Sequence, residues 1–501
     1  MTSKRYSMDS SALHNPDILT CLANLSSDEV FTPPTIANEI LNTIPADFWS
    51  DPGKTVLDPT TKSGVFLREA AKRFMIGLAD KIPNEKARID HILKNQLYGL
   101  PITELTSLIS KRTLYCSKYA NSKNSLFISS STQDGNIPLL RSEHVWIKGK
   151  CEKCGANEKT FNRGDGFENH AYPLLHEESV FNDMKFDLIV GNPPYHIQDS
   201  GDTTGSSPIY HKFVQKCIDM EPEYLCMIIP SRWFAGGKGL DEFRVKMMSD
   251  KHIRKLVDYP IASDVFPGLK VIGGVCYFLW QKSYSGECEV HTNLMGRNSI
   301  LKRNLNDYDV FVRFNDAIPI LEKILSKGYE TIDQGVSTQK PFGLRTFVKP
   351  EKTGEIRLYA NKAVGFINRD KIEKNEKLIY KHKVFISMAY GEGGEKRDYP
   401  RMIIGKPIVV TPPSACTETY LVAGSFDDEE QARNFSKFLK TRFCRFLVAL
   451  RKNTQHITPD RFKFVPKLDM KFEWDDDALF ELFGISKIEQ KFICSLVRPM
   501  E

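Results

Sequence analysis

Over its first 290 residues the chain alternates short apolar runs with stretches of helical periodicity. The Thr32-Pro33-Pro34 start predicts a helix, followed by a strand over Thr55-Val56-Leu57-Asp58-Pro59, a helix through Leu67 to Leu78, and a short apolar strand from Gln96 to Leu100. Further strands are predicted in the runs KFDLIVGNPPY, YLCMIIP and VIGGVCYFLW, with a helix over Ile209 to Met220 between the first two. Strands separated by helices pair in parallel, so this cadence predicts an α/β fold with a doubly wound, mostly parallel sheet. After about residue 290 the cadence breaks into irregular strands such as PIVVTPP, with helical segments from Asp427 onward, which predicts a mixed α+β region. The expected organisation is a leader at 1–30, a first domain at 31–300 carrying an insertion at about 140–180, and a second domain at 301–501.

Composition changes this picture little. A chain of 501 residues is too long for one ordinary core, and 41% hydrophobic with 26% charged residues is the balance of a globular protein. No apolar run approaches the roughly 20 residues needed to cross a bilayer, and MTSKRYSMDSSALHNPD lacks the apolar core of a secretion signal. The expectation is a cytoplasmic protein without a membrane partner. The 11 cysteines are mostly scattered, which reads as reduced thiols. A formal net charge of +6 permits a polyanionic partner without demonstrating one.

In open parallel sheets ligands sit beyond the carboxyl ends of the strands, so the residues after each apolar run carry the candidate chemistry. After Leu57 comes Asp58-Pro59-Thr60-Thr61-Lys62-Ser63-Gly64, where small residues let a ligand approach the backbone and a helix N-terminus offers free N–H groups. Asp58 there could neutralise a cationic ligand. An ordinary strand-to-helix turn with an aspartate cap accounts for the same residues. After Val190 comes Gly191-Asn192-Pro193-Pro194-Tyr195. Two prolines fix the backbone and supply no N–H, so the Asn192 side chain and the Pro193 carbonyl can present acceptors to an incoming amino group, while Tyr195 offers a face for a planar base.

With these residues in view, the chain resembles the amino-DNA methyltransferases that carry the Asn-Pro-Pro-Tyr tetrapeptide, specifically the N6-adenine group of Eco57I-like and TaqI-like enzymes. The resemblance runs motif by motif from residue 30 to about 285, with Phe31-Thr32-Pro33-Pro34 ahead of the donor loop as in that group. It implies a Rossmann-like methyltransferase that uses S-adenosyl-L-methionine to methylate adenine N6 in double-stranded DNA, within a restriction-modification or related defence system. It also implies a C-terminal target-recognition domain; with no paired-acid and lysine cluster evident in the tail, any cleavage is expected from a separate restriction endonuclease subunit. Carried over residue by residue, Thr32, Pro33, Asp58, Pro59 and Gly64 line the donor site, with Asp134 at the donor's adenine edge. Asn192, Pro193, Pro194 and Tyr195 hold the flipped adenine, with Phe266 as a further stacking candidate, although an aromatic between Val265 and Pro267 is more often core. Two positions depart from the group's pattern: Lys62 stands in the first glycine slot of the donor loop, and Pro101 stands where an acidic residue usually follows the second strand, with Glu104 one helical turn later. Asp134 in Thr132-Gln133-Asp134-Gly135 also reads as a plain turn aspartate.

The insertion contains Cys151-Glu152-Lys153-Cys154-Gly155, then His170 and His176, a C-x2-C-x15-H-x5-H spacing close to that of a small tetrahedral zinc site. Such a knuckle could stiffen a hairpin that contacts DNA. Two free thiols and two unrelated histidines are the plainer alternative. From Glu430 to Lys452, Phe435, Leu439, Phe446 and Leu450 recur at helical spacing, with Arg433, Lys437, Lys440 and Arg451 largely off that stripe. This predicts one amphipathic basic helix, either a solvated face or a source of phosphate contacts, and the loop Gly391 to Tyr399 is a candidate to reach a groove. Two other function classes stay open: a catalytically weak or inactive DNA-binding subunit, and a methyltransferase acting on RNA or protein.

Overall fold

The computed structural model describes residues 30–162, 171–176, 181, 184–198, 206–237, 239–267, 271, 273–390, 399–452 and 456–500. The chain divides into two compact units, Met1–Gly296 with Lys302–Leu305, and Arg297–Leu301 with Asn306–Glu501.

The strands of the first unit are β1 (Val56–Thr61), β2 (Leu97–Pro101), β3 (Trp146–Ile147), β4 (Lys150–Cys151), β5 (Leu188–Gly191), β6 (His196–Gln198), β7 (Ser206–Pro208), β8 (Tyr224–Pro230), β9 (Ile253–Tyr259), β10 (Val275–Gln281) and β11 (Cys288–Leu294). Seven of them form the central sheet in the order β11-β9-β10-β8-β5-β1-β2. Strands β2, β1, β5 and β8 run parallel, and β10 is inverted between β8 and β9. From β1 the chain first moves outward to β2 and then returns to the other side of β1 to lay down β5. That reversal is a topological switch point at the carboxyl ends of β1 and β5, the place where a doubly wound sheet forms the crevice that binds its ligands. Val56 and Leu57 pair with Leu188 and Ile189, and all four are fully buried. Burial of this kind stabilises by about 1.5–3 kcal/mol per side chain, so the crevice stands on a rigid floor.

The helices flanking the sheet are α1 (Pro34–Leu41), α2 (Val65–Gly77), α3 (Glu85–Asn95), α4 (Glu104–Tyr115), α5 (Glu158–Phe161), α6 (Pro173–His176), α7 (Tyr210–Asp219) and α8 (Asp241–Ser249). Pro33 caps α1 in an extended conformation and Pro34 takes its first turn, where a missing N–H costs nothing. Glu39 of α1 accepts hydrogen bonds from the Tyr259 and Tyr277 hydroxyls at 2.6 and 2.8 Å, which bolts the helix to β9 and β10. Strand β9 has no counterpart among the strands predicted above. Its run IRKLVDY carries Arg254, Lys255 and Asp258 among the apolar residues, and Asp258 is fully buried where it accepts from the Ser231 hydroxyl at 2.8 Å.

In the second unit, β12 (Arg297–Arg303) straddles the division, and two three-stranded sheets follow. One is β14-β13-β17, built from β13 (Ile356–Ala360), β14 (Ala363–Ile367) and β17 (Ser414–Cys416); the other is β16-β15-β18, from β15 (His382–Ser387), β16 (Ile408–Val410) and β18 (Tyr420–Phe426). They share a core that includes Phe342, Leu358, Phe385 and Val422. Helices α9 (Ile318–Leu325), α10 (Glu376–Ile379), α11 (Glu429–Lys440), α12 (Arg442–Arg451), α13 (Asp476–Leu482) and α14 (Lys487–Leu496) complete this mixed α+β unit. The single basic helix predicted over 430–452 is two helices, α11 and α12, broken at Thr441. The Thr441 hydroxyl donates to the last turn of α11 and accepts from Cys444 N–H at the start of α12. Its basic stripe is largely spoken for: Arg451 is buried in a two-pronged pair with Asp309 at 2.6 and 2.8 Å, Arg433 pairs with Glu429, and Lys437 pairs with Glu473. Residues 391–398 of the expected groove-reaching loop lie outside the described residues. No described helix is long and apolar enough to cross a membrane.

Candidate active site

The carboxyl end of β1 carries the first half of the site. Its pairing with β2 shifts register between Asp58 and Thr61, and the strand runs on as a bulged turn into Gly64. Gly64 caps α2 in the left-handed region at φ 74°, and a Cβ there would meet the Ser110 backbone of α4 at 3.1 Å, so both the conformation and the space require glycine. Asp58 is buried beside this turn, accepting from Thr60 N–H at 3.2 Å, while its backbone carbonyl takes the Thr61 hydroxyl at 2.8 Å. Loss of solvent pushes the Asp58 carboxyl up to about 7, against the opposing pull of Thr60 N–H and the Lys62 ammonium.

The second half lies at the end of β5. Gly191 lets this strand approach the β1 turn, since a Cβ on it would lie 3.1 Å from Asp58 Oδ1 and 3.3 Å from Thr60 Oγ1. Next in the chain, Asn192, Pro193, Pro194 and Tyr195 are all buried. Asn192 uses both protons of its side-chain amide, donating to the Val30 carbonyl at 2.9 Å and to the Thr32 hydroxyl at 3.1 Å. Because a carbonyl can only accept, this pairing sets which way the amide faces. Its oxygen, Asn192 Oδ1, is buried with no hydrogen-bond partner. The Tyr195 hydroxyl is likewise buried without a partner, and desolvation holds it well above the ordinary tyrosine range, with the neighbouring Asn192 amide pulling the other way. Buried polar atoms are rarely left unpaired, which makes the end of this strand a candidate binding position.

Lys62 explains its own departure from the family pattern. It is buried, and its ammonium donates to the Val30 carbonyl at 3.2 Å, the same oxygen that takes Asn192. Three motifs separated in sequence, the Thr-Pro-Pro lead-in, the β1 turn and the Asn-Pro-Pro-Tyr segment, therefore converge on one backbone atom. Thr32, Lys62 and Asn192 are brought together in this way, Asp58 and Pro59 lie beside Gly191, and Gly64 packs on Ser110 instead. Val30 and its link to Lys62 were missed from the sequence, where a lysine in a glycine slot was the one available signal.

Other site residues behave differently. Asp134 belongs to a separate bonded group: it pairs with the buried Lys111 of α4, and Gly135 beside it sits at φ 56° against Tyr115, as a turn requires. Tyr195 and Phe266 both join the hydrophobic core below the crevice, so neither shows an open face in this state. In the insertion, Cys151, Cys154 and His176 do meet, but the fourth member of their group is His144, and all four ligand atoms lie within 4.8 Å of one another. His170 lies outside the described residues. His144 escaped notice because it precedes the first cysteine by seven positions and belongs to no recognised spacing.

The model of the Eco57I restriction-modification methylase family matches residues 95–266. An uncharacterized adenine-specific methylase of Mycoplasma pneumoniae (strain ATCC 29342 / M129 / Subtype 1) is 34% identical over 325 residues, covering 59% of this chain and 77% of the relative. Among solved structures, a DrdV-DNA complex is 12% identical with a TM-score of 0.47, over 93% of this chain and 57% of that one. The type IIL restriction-modification enzyme MmeI, solved with DNA, is 10% identical with a TM-score of 0.44, over 90% and 66%. The chain thus spans somewhat less than two thirds of the length of these solved chains. The extent of the match to the Mycoplasma protein, joined to the Eco57I-type segment that contains the Asn192 site, makes this chain a member of the adenine-specific methylase family of restriction-modification type.

Proposed function

We propose that this chain transfers a methyl group from S-adenosyl-L-methionine to the N6 amino group of adenine in double-stranded DNA, with Asn192 as the residue that receives the amino group. The observation that carries the reading is the orientation of Asn192: both its N–H groups are tied down and its buried oxygen is left as an unpaired acceptor. An adenine amino nitrogen is a weak nucleophile because its electron pair is delocalised into the ring. Acceptors at Asn192 Oδ1 and the Pro193 carbonyl would pull its two protons out of the ring plane, toward tetrahedral geometry at nitrogen, so that the electron pair localises and faces the donor's methyl. The donor supplies an electrophilic methyl with a good leaving group, so positioning and local electrostatics suffice and no covalent enzyme intermediate is needed. Asp58 would offset the positive charge of the donor, with Thr32, Pro33, Pro59 and Gly64 shaping its surroundings. The base must leave the duplex to reach so buried an atom, at a cost of a few kcal/mol, partly offset by stacking on Tyr195 once its ring turns out of the core.

The second unit is proposed as the target-recognition domain, and a separate endonuclease as the restriction partner. A cytoplasmic location fits this role. The Cys151-Cys154 insertion is proposed to hold a structural zinc ion, its thiols and imidazoles being the donor set that ion favours. The test of the main reading uses methyl-labelled S-adenosylmethionine with unmethylated DNA, digested to nucleosides. Label in N6-methyladenine that disappears in Asn192→Ala supports it; label in RNA or protein alone, or none with folded protein and varied DNA, overturns it.

A further inference from the structure

The insertion between β2 and β5 gathers four soft or borderline ligands in one place. Cys151 Sγ lies 3.4 Å from His176 Nε2, and Cys154 Sγ lies 3.5 Å from His144 Nδ1. Two atoms bound to one tetrahedral zinc, at bond lengths of about 2.3 Å for sulfur and about 2.05 Å for nitrogen, sit roughly 3.5–3.6 Å apart, which these two sulfur–nitrogen separations match to within about 0.2 Å. The surroundings hold the ligands in that posture. Gly155, at φ 85°, turns the chain after the second thiol, Gly155 N–H donates to the Cys151 carbonyl at 2.8 Å, and Ala156 N–H donates to Cys154 Sγ at 3.4 Å. His176 Nδ1 meets the Tyr172 carbonyl at 2.9 Å; a carbonyl only accepts, so the ring proton sits on Nδ1 and Nε2 turns its lone pair toward Cys151 Sγ. Both thiols and His144 are buried, and four protein ligands leave no open position, the arrangement of a structural rather than a catalytic centre.

The same segment is fastened to the helix that follows the Asn-Pro-Pro-Tyr motif. The Lys153 carbonyl, inside the Cys151–Cys154 turn, accepts from Lys212 Nζ of α7 at 2.7 Å, and the Tyr172 ring packs edge-on against Phe213 of α7 with centroids 5.2 Å apart. At the head of α7, Ile209 N–H donates to the Tyr195 carbonyl at 3.2 Å. A short chain of contacts therefore runs from the cysteine turn through α7 to the residue expected to stack on the base.

We propose that His144, Cys151, Cys154 and His176 form a closed zinc centre that clasps the insertion onto α7 and thereby steadies the segment behind Tyr195. This deepens the zinc reading above and rests on it, while naming a different fourth ligand from the one that spacing suggests. The test measures metal content of the purified full chain, its spectrum with cobalt(II) in place of zinc, and amide hydrogen exchange over 210–219 before and after chelation. Expected are about one zinc per chain, a tetrahedral cobalt spectrum with thiolate charge transfer, loss of metal in His144→Ala, and retention in His170→Ala. His144→Cys, which keeps a good ligand in place, should hold the metal and raise the thiolate charge-transfer band by about half, since three thiolates replace two. Chelation should speed exchange in α7 at least several-fold. Metal-free wild type with no cobalt spectrum overturns the zinc reading itself. Zinc kept in His144→Ala and lost in His170→Ala overturns the ligand set alone, and unchanged exchange in α7 overturns the clasp.

Discussion

Two neighbouring strand ends, β1 and β5, present buried polar atoms to the same crevice, yet they do so in opposite ways. At β1 the group is Asp58, an acid whose burial raises its proton affinity to about 7 and which therefore answers to pH and to charge. At β5 the group is Asn192, a neutral amide whose orientation is held by two hydrogen bonds and whose free oxygen answers to neither. The difference suits two guests. A cation is bound by a charge that becomes worth having once the cation arrives, whereas an uncharged amino group is turned by an acceptor fixed beforehand.

Removing the fixed acceptor should do the most damage. Asn192→Ala is expected to lower the single-turnover methyl-transfer rate by on the order of 10²–10³-fold, the loss typical of deleting one preorganised hydrogen-bonding group from a site. Donor affinity, measured by equilibrium dialysis, should change little. An equal loss in both would erase the distinction between the two strand ends.

The charged end should fail in binding instead. Asp58→Asn is expected to weaken donor affinity by about 10–100-fold, in line with the 1.5–3 kcal/mol of a hydrogen bond to a charged group. The wild-type dissociation constant should rise about tenfold per unit as pH falls below about 7, because protonated Asp58 has no charge to offer, and the variant should lose that slope. In the empty protein the sign is reversed. A folded value raised from 3.8 to about 7 contributes stability that is present below about pH 4 and lost as pH climbs through 7, so thermal stability should fall over that window in wild type and not in Asp58→Asn. A pH-independent dissociation constant in wild type would remove Asp58 from the donor site.

A smaller effect is expected where the two ends touch. Gly191→Ala puts a methyl group 3.1 Å from Asp58 Oδ1 and 3.3 Å from Pro59 Cδ, an overpacking of about 1–3 kcal/mol. Calorimetry should show lower stability together with weaker donor binding; a stable variant with normal binding would mean that the strand ends move independently. A comparable change is expected from Lys62→Ala, which removes the charged bond to the Val30 carbonyl and should cost about 1.5–3 kcal/mol in denaturant unfolding, with the methylated product unchanged. Weakened donor binding by equilibrium dialysis, with stability unchanged, would make Lys62 part of the donor contacts rather than a brace.

The sheet was legible where strands were uniformly apolar and preceded a turn of small residues, as at Val56–Leu57 and Leu188–Val190. Strand β9 was not, because Asp258 interrupts its apolar pattern and takes a hydrogen bond in the interior from Ser231, 27 residues earlier. The basic helix was misread for a related reason. Helical spacing continues through Thr441, since that residue ends one helix and caps the next, and Arg451 looks solvated until Asp309 is found 142 residues upstream. Site chemistry followed the same division. Asp58 and Asn192 stand directly after apolar strands and were found by position, whereas His144 reaches its cysteines through folding of the insertion, and chain spacing favoured His170 instead. Local pattern reports what each residue does to its own strand; it is silent on partners that only the fold supplies.

The shared oxygen of Val30 has a consequence for how such a site can drift. Because the atom that receives Asn192 and Lys62 belongs to the main chain, exchanging the side chain at position 30 leaves both bonds available. Removing or adding one residue between Val30 and Thr32 does not, for it displaces the carbonyl and the hydroxyl relative to one another and frees the Asn192 amide to turn over. Related proteins can thus vary in letter at this point while keeping its length, a constraint that a residue-by-residue comparison would overlook and a count of positions would reveal.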